Sequence, residues 1–114
     1  MSGKYDITIL QGETFSLTMT WKDSDGVVVP VTGYSARMQI RRRKTSSTTE
    51  LSLTSSAGIT LGGAAGTILI EISDTDTAAL AFFEGVYDLE LESASGIVTR
   101  LLEGSVKLSH EVTK

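Results

Sequence analysis

Every second residue from Phe15 to Trp21 is apolar: Phe15, Leu17, Met19 and Trp21 alternate with Ser16, Thr18 and Thr20. A period of two puts alternate side chains on opposite faces of a strand, so this stretch predicts a β-strand with four inward positions. The alternation recurs along the chain. Tyr5, Ile7 and Ile9 predict a short first strand that stops at Gln11-Gly12. Tyr34, Ala36, Met38 and Ile40 predict a third, with Arg37, Gln39 and Arg41 on a charged outer face. Leu51 and Leu53, then Ile59 and Leu61, fall in two short segments; Ile68, Ile70 and Ile72 mark a further strand with Glu71 turned outward. The last third reads as a hairpin. One arm runs from Gly85 to Glu92, the turn is Ser93-Ala94-Ser95-Gly96, and the second arm kinks at Gly104 before continuing through Leu108.

Breaks in the pattern carry turn chemistry. Asp23-Ser24-Asp25-Gly26 suits a hairpin turn with positive φ at the glycine. The only proline, Pro30, marks 27–31 as an edge or crossing segment. Gly62-Gly63-Ala64-Ala65-Gly66 is a small-residue turn, without the lysine of a phosphate-binding loop and followed by a strand rather than a helix. Ser73 or Asp74 can cap a turn of helix over 75–80, which connects across the end of the fold. These elements predict one domain over 1–114: an all-β antiparallel sandwich of about seven or eight strands with one short helical turn. Trp21 is expected to anchor its core. The stretch 80–87 is expected to form a corner in which the Tyr87 hydroxyl returns to the backbone upstream, as in immunoglobulin-like domains.

Composition narrows the picture further. A chain of 114 residues, 40% apolar, can bury roughly two-thirds of its unfolded surface around a single core. A net charge of −4 gives no basis for a nucleic-acid partner. With no cysteine, neither disulfides nor thiolate metal sites are expected, which fits a cytosolic folding compartment. The N-terminus has no apolar leader segment, and no run approaches the ~18 residues of a membrane span. The expectation is a soluble chain made in the cytoplasm without a signal peptide and without a membrane partner.

No set of residues amounts to a catalytic site. His110 is the only histidine, on a terminal segment beside Glu111, a poor place to hold a nucleophile and an orienting acid. Asp23 and Asp25 resemble the start of a calcium loop, but Tyr34 occupies the position of the bidentate acid. Turn formation and helix capping account for that pair and for Asp74 and Asp76 without a metal. Glu84, Glu90, Glu92 and Glu103 are read as the solvent face of the closing hairpin. No cofactor is implied. Arg41, Arg42, Arg43 and Lys44 concentrate four of the ten cations beside a serine-threonine loop. They are the candidate partner-contact loop, weighed against a solvated strand end that keeps the edge from pairing.

Several stretches carry a family resemblance. Gln11-Gly12-Glu13-Thr14-Phe15 precedes an alternating strand; an Asp25-Gly26 turn follows; then comes Val31-Thr32-Gly33-Tyr34 leading to Ile40-Arg41. Ile68 to Leu80, Gly85-Val86-Tyr87-Asp88-Leu89, Leu102-Glu103-Gly104 and Val112-Thr113 continue it. In these positions the chain resembles the small immunoglobulin-like virion modules of tailed bacteriophages, including the N-terminal domain of baseplate upper proteins. The resemblance implies a non-enzymatic structural subunit of a phage particle: an adaptor or decoration protein of a tail, baseplate, neck or head. Its expected partners are other virion proteins and symmetry copies of itself, as a homo-oligomer in the particle, with the virion as its location. The alternative is a glycan- or receptor-binding β-sandwich module, which a cluster of surface aromatics would mark. Tyr5, Phe15, Trp21, Tyr34 and Tyr87 are instead expected at core positions. An enzyme, such as a metal-assisted hydrolase on the aspartate turns, is the third and least supported reading.

Overall fold

A computed structural model describes residues 3–112, so Thr113 of the closing Val112-Thr113 pair lies outside the described residues. The chain folds as two β-sheets face to face. One contains β1 (Gly3–Lys4), β2 (Ile7–Leu10), β4 (Ser35–Arg41), β5 (Leu51–Thr54), β8 (Glu84–Glu92) and β9 (Val98–Ser109). The other contains β3 (Phe15–Thr20), β6 (Ile59–Leu61) and β7 (Thr67–Ile72). The first sheet runs β1-β9-β8-β4-β5, with β2 also on β9; the second runs β3-β7-β6. A helix, α1 (Asp74–Ala79), links β7 to β8, and a 3₁₀ turn (Gly63–Ala65) precedes β7.

The alternating residues meet between the sheets. Ala36, Met38 and Ile40 on β4, Tyr87, Leu89 and Leu91 on β8, and Leu102, Val106 and Leu108 on β9 form one wall. Ile68, Ile70 and Ile72 on β7 with Ile59 on β6 form the other. Burying this apolar set against itself is the main stabilising term of the fold. Trp21 sits just beyond β3 and is partly buried, its ring edge-on to Tyr34 at a 5.7 Å centroid distance. It closes one end of the core rather than occupying its centre.

Local chemistry matches the turns. Asp23 Oδ1 accepts the N–H groups of Asp25 (2.9 Å) and Val27 (3.0 Å), and Gly26 adopts φ +80°. Ser73 Oγ accepts the Asp76 N–H (3.1 Å), the capping bond expected at a helix start. Thr77 is fully buried on that helix. Its hydroxyl donates to the Glu13 carbonyl (2.8 Å) and accepts the Gly12 N–H (3.1 Å), pinning α1 to the β2–β3 turn.

Three expectations need correction. The ladder is not wholly antiparallel: β1 and β2 pair with β9 in parallel, Lys4 opposite Glu103 and Ile7 opposite Val106. This splits the N-terminal strand in two and brings the strand count to nine among the described residues. Gly104 is not a kink. β9 runs unbroken through it, and the one irregularity of the hairpin is a register shift at Leu89/Glu90 that leaves Leu101 as the extra residue. Finally, Tyr87 does not close a corner over 80–87; its hydroxyl donates to the Tyr5 carbonyl at 2.5 Å.

The last two corrections share a cause. Tyr87 stands directly opposite Gly104, and a Cβ at Gly104 would land on the Tyr5 carbonyl oxygen. The missing side chain lets the N-terminal segment pass close enough to accept the phenol. Beside it the Asp6 side chain takes the Ser105 N–H (2.9 Å) where a backbone carbonyl would otherwise do so.

Burial, with smaller contributions from Asp6 and Tyr5, pushes the Tyr87 phenol up to about 12 from an ordinary 10.0. A folded-state pKa above the unfolded one stabilises the fold fully below the unfolded value, and that contribution is lost as pH rises through the folded value. Stability is therefore expected to fall between about pH 10 and about pH 12. Urea midpoints across that range should decline for the wild type, and Tyr87→Phe should remove this part of the decline. At neutral pH, Tyr87→Phe should cost about 1–3 kcal/mol, because the Tyr5 carbonyl loses its donor.

Candidate interaction face

Strands β4, β8 and β9 turn their polar positions to one outer face. Pairing places Arg37 opposite Glu90, Gln39 opposite Asp88, and Asp88 opposite Glu103. Arg37 Nε meets Glu90 Oε1 at 2.9 Å and its Nη1 meets Glu92 Oε1 at 3.1 Å. Those bonds, to Glu92 first and then Glu90, hold the guanidinium pKa above its usual value. Being solvent-exposed, the pairs add little stability, about 0–1 kcal/mol each. Their effect is to fix the face's charge pattern.

The four basic residues at the end of β4 do not project as one free patch. Arg41 donates from Nη1 to the Ser46 carbonyl (2.6 Å) and from Nη2 to Gln39 Oε1 (3.0 Å). Arg42 pairs with Glu50 (3.4 Å), and Lys44 turns back over the sheet to Glu103 (3.4 Å). Arg43 holds the loop through its backbone, donating to Ser46 Oγ, and its guanidinium has no carboxylate partner among the described residues. The fold thus brings Arg41 and Lys44 to the outer face and directs Arg42 to Glu50.

Between them lies an open depression of about 200 Å³, lined by Gln39, Arg41, Lys44, Asp88, Arg100 and Glu103. Alternation reads Glu103 as a solvent-face residue, yet its side chain is only 17% exposed, while the Lys44 that pairs with it stays 75% exposed. Partial burial, then the charges of Glu90 and Glu103, raise the Asp88 carboxyl pKa, against the pull of Arg100 3.6 Å away and of Lys44. This mixed-sign hollow can exchange ion pairs with a polar partner.

A second depression, about 330 Å³, lies on the flank between the N-terminal segment and β3. Lys4, Tyr5, Leu17, Thr18, Met19 and Leu102 line it. Alternation places Tyr5 in the core; it is half exposed because the strand breaks at Tyr5-Asp6. Phe15 and Leu17 are only partly buried, since among the described residues no strand lies beyond β3 to cover them.

The remaining candidates have structural roles. His110 is exposed, stacks on Phe83 at 4.4 Å, and its Nε2 lies 2.9 Å from the Phe82 carbonyl. Phe83, 72% exposed, was not singled out by the alternation because it follows a helix rather than lying in a strand. Asp23 is spent on its turn. Among the described residues, no three His, Asp or Glu side chains gather to hold a metal ion.

No protein-family model matches the chain, and no curated protein matches it. Solved structures do resemble it. One is the extracellular domain of the voltage-gated sodium channel β4 subunit, whose parallel homodimers are tied to cell–cell adhesion. It is 14% identical, with 98% of this chain and 96% of that one covered and a TM-score of 0.52. A second sodium channel β-subunit structure, from work on multimeric cell-adhesive interactions, is 14% identical, with 95% and 92% covered and a TM-score of 0.46. Extracellular domains 3–5 of Drosophila OTK are 17% identical, with 96% of this chain and 33% of that chain covered and a TM-score of 0.39. At such identities the first likeness bears on the fold alone. Its agreement with the two-sheet topology gives the architecture: the chain is an immunoglobulin-like β-sandwich.

Proposed function

We propose that this chain is a non-enzymatic structural subunit of a bacteriophage particle, acting by docking and self-association. The observation that carries the docking half is the uncovered flank: apolar side chains of β3 stay partly exposed along a strand that, among the described residues, pairs on one side only. The charged groups of the outer face, by contrast, are largely matched with one another. A surface that is matched in charge and open in apolar contact suits a protein neighbour better than a small substrate. The virion half rests on the sequence resemblance. Its motifs occupy framework positions here: Ala36, Met38 and Ile40 face the core, Gly33 turns at φ +79°, and Tyr87 ties the N-terminal segment.

Mass spectrometry of particles purified from the phage that encodes the chain tests the reading. Peptides at a fixed ratio to a major capsid or tail protein are expected. Their absence from particles, with the chain present in the lysate, would sink it. Binding on a glycan array would favour the receptor-binding alternative instead.

A further inference from the structure

Three of the sheet edges are short or interrupted. The β1–β2 edge breaks at Tyr5-Asp6 and carries Lys4; β5 has four residues and β6 three. Natural sheets blunt their edges with such breaks, charges and short strands. β3 differs. Its six residues, Phe-Ser-Leu-Thr-Met-Thr, contain no charge, proline or glycine, and among the described residues β7 is its only partner.

Hydrogen-bond parity shows what this edge offers. Trp21 N–H donates to the Gly66 carbonyl, continuing the ladder that sets Met19, Leu17 and Phe15 opposite Ile68, Ile70 and Ile72. In an antiparallel ladder, alternate residues bond to the same neighbour. Phe15, Leu17 and Met19 therefore bond to β7, and the N–H and C=O groups of Ser16, Thr18 and Thr20 face outward.

We propose that two copies of this chain pair antiparallel along β3, about a two-fold axis at Thr18. Thr18 then faces Thr18 of the second copy, and Ser16 faces its Thr20, so every outward N–H meets an outward C=O. On the inner face Leu17 comes opposite Met19 of the second copy, covering side chains the single sandwich leaves partly exposed. The outer face pairs hydroxyl with hydroxyl. The flank depression lies at the axis, lined by Leu17, Thr18 and Met19 with Lys4, Tyr5 and Leu102 beside them. Both faces match their own two-fold image, which is what a closed, isologous interface requires. The inference rests on the self-association proposed above and gives it a surface.

Sedimentation of the intact chain up to about 1 mM reads the result, since a six-residue ladder buries less than the ~1,200 Å² of a standard interface. A reversible dimer is expected. Thr18→Pro deletes an outward N–H without touching the β7 ladder, as edge strands tolerate. Thr18→Lys sets two ammonium groups face to face. Both should weaken dimerisation about tenfold or more while keeping the β-type circular dichroism. Because the chain has no cysteine, Thr18→Cys supplies a single thiol. Residues of a bonded pair stand ~5.5 Å apart, within disulfide reach, so oxidation should yield a covalent dimer. Ser95→Cys, in the hairpin turn, should not. A monomer at every concentration overturns the inference. A dimer that survives Thr18→Lys and fails to cross-link through Thr18→Cys overturns this edge while leaving self-association standing.

Discussion

Gly104→Ala is expected to destabilise the fold by about 3 kcal/mol or more. Gly104 is not among the glycines at positive φ, so alanine meets no backbone strain there. The obstacle is space. The new Cβ falls on the Tyr5 carbonyl, backbone that cannot swing aside without leaving β9. Overpacking of this kind costs about 1–3 kcal/mol, and withdrawal of Tyr5 adds about 1–3 kcal/mol for the lost Tyr87 bond. Against a total of about 5–15 kcal/mol, the change threatens folding at physiological temperature. Hydrogen exchange should show where it acts, with protection lost first at β2 and its partners on β9. Tyr87→Phe separates the two terms, since it removes the bond and adds no bulk. A Gly104→Ala variant as stable as Tyr87→Phe would refute the steric account.

Phe82→Ala should cost about 3–5 kcal/mol, measured by urea or thermal unfolding. Phe82 is 1% exposed and ranks first by volume among the fully buried side chains, yet it lies in no strand or helix. Hydrogen bonds to its carbonyls hold the segment that carries it. Gln11 Nε2 donates to the Leu80 carbonyl, and Leu108 N–H to the Phe83 carbonyl. With its frame tied on both sides, the segment cannot collapse into the space a truncated ring leaves, so the cavity persists. Phe83→Ala next to it is the contrast: that ring is mostly in water, and the expected change is within about 0.5 kcal/mol.

These two positions mark how far the sequence can be read. Period-two alternation is local, and it located the core strands because burial of one face leaves its imprint within six or seven residues. Inward Ala36, Met38 and Ile40, the Asp23 turn and the Ser73 cap were all legible for that reason. Phe82 has no such neighbourhood; its burial follows from where α1 delivers the chain. Gly104 reads locally as a bend, and its real neighbour, Tyr5, is about a hundred residues away. The parallel pairing of β2 with β9 is equally long-range, so strand order was beyond local pattern. The candidate face was half legible. Four adjacent cations were plain to see, but only the fold shows Lys44 paired with Glu103 and Arg42 directed to Glu50. The open edge of β3 has no sequence mark, because an absent neighbour leaves none.

The parallel pairing has a mechanical consequence. β2 and β9 lie side by side and run the same way, joined over four register pairs from Ile7–Val106 to Leu10–Ser109. A load that draws Gly3 and Val112 apart pulls the two strands past each other along their length. It acts on all the bonds of that ladder together, whereas a peeling load would break them one by one. A sandwich built this way carries tension through shear, and resists it best when pulled along these two strands.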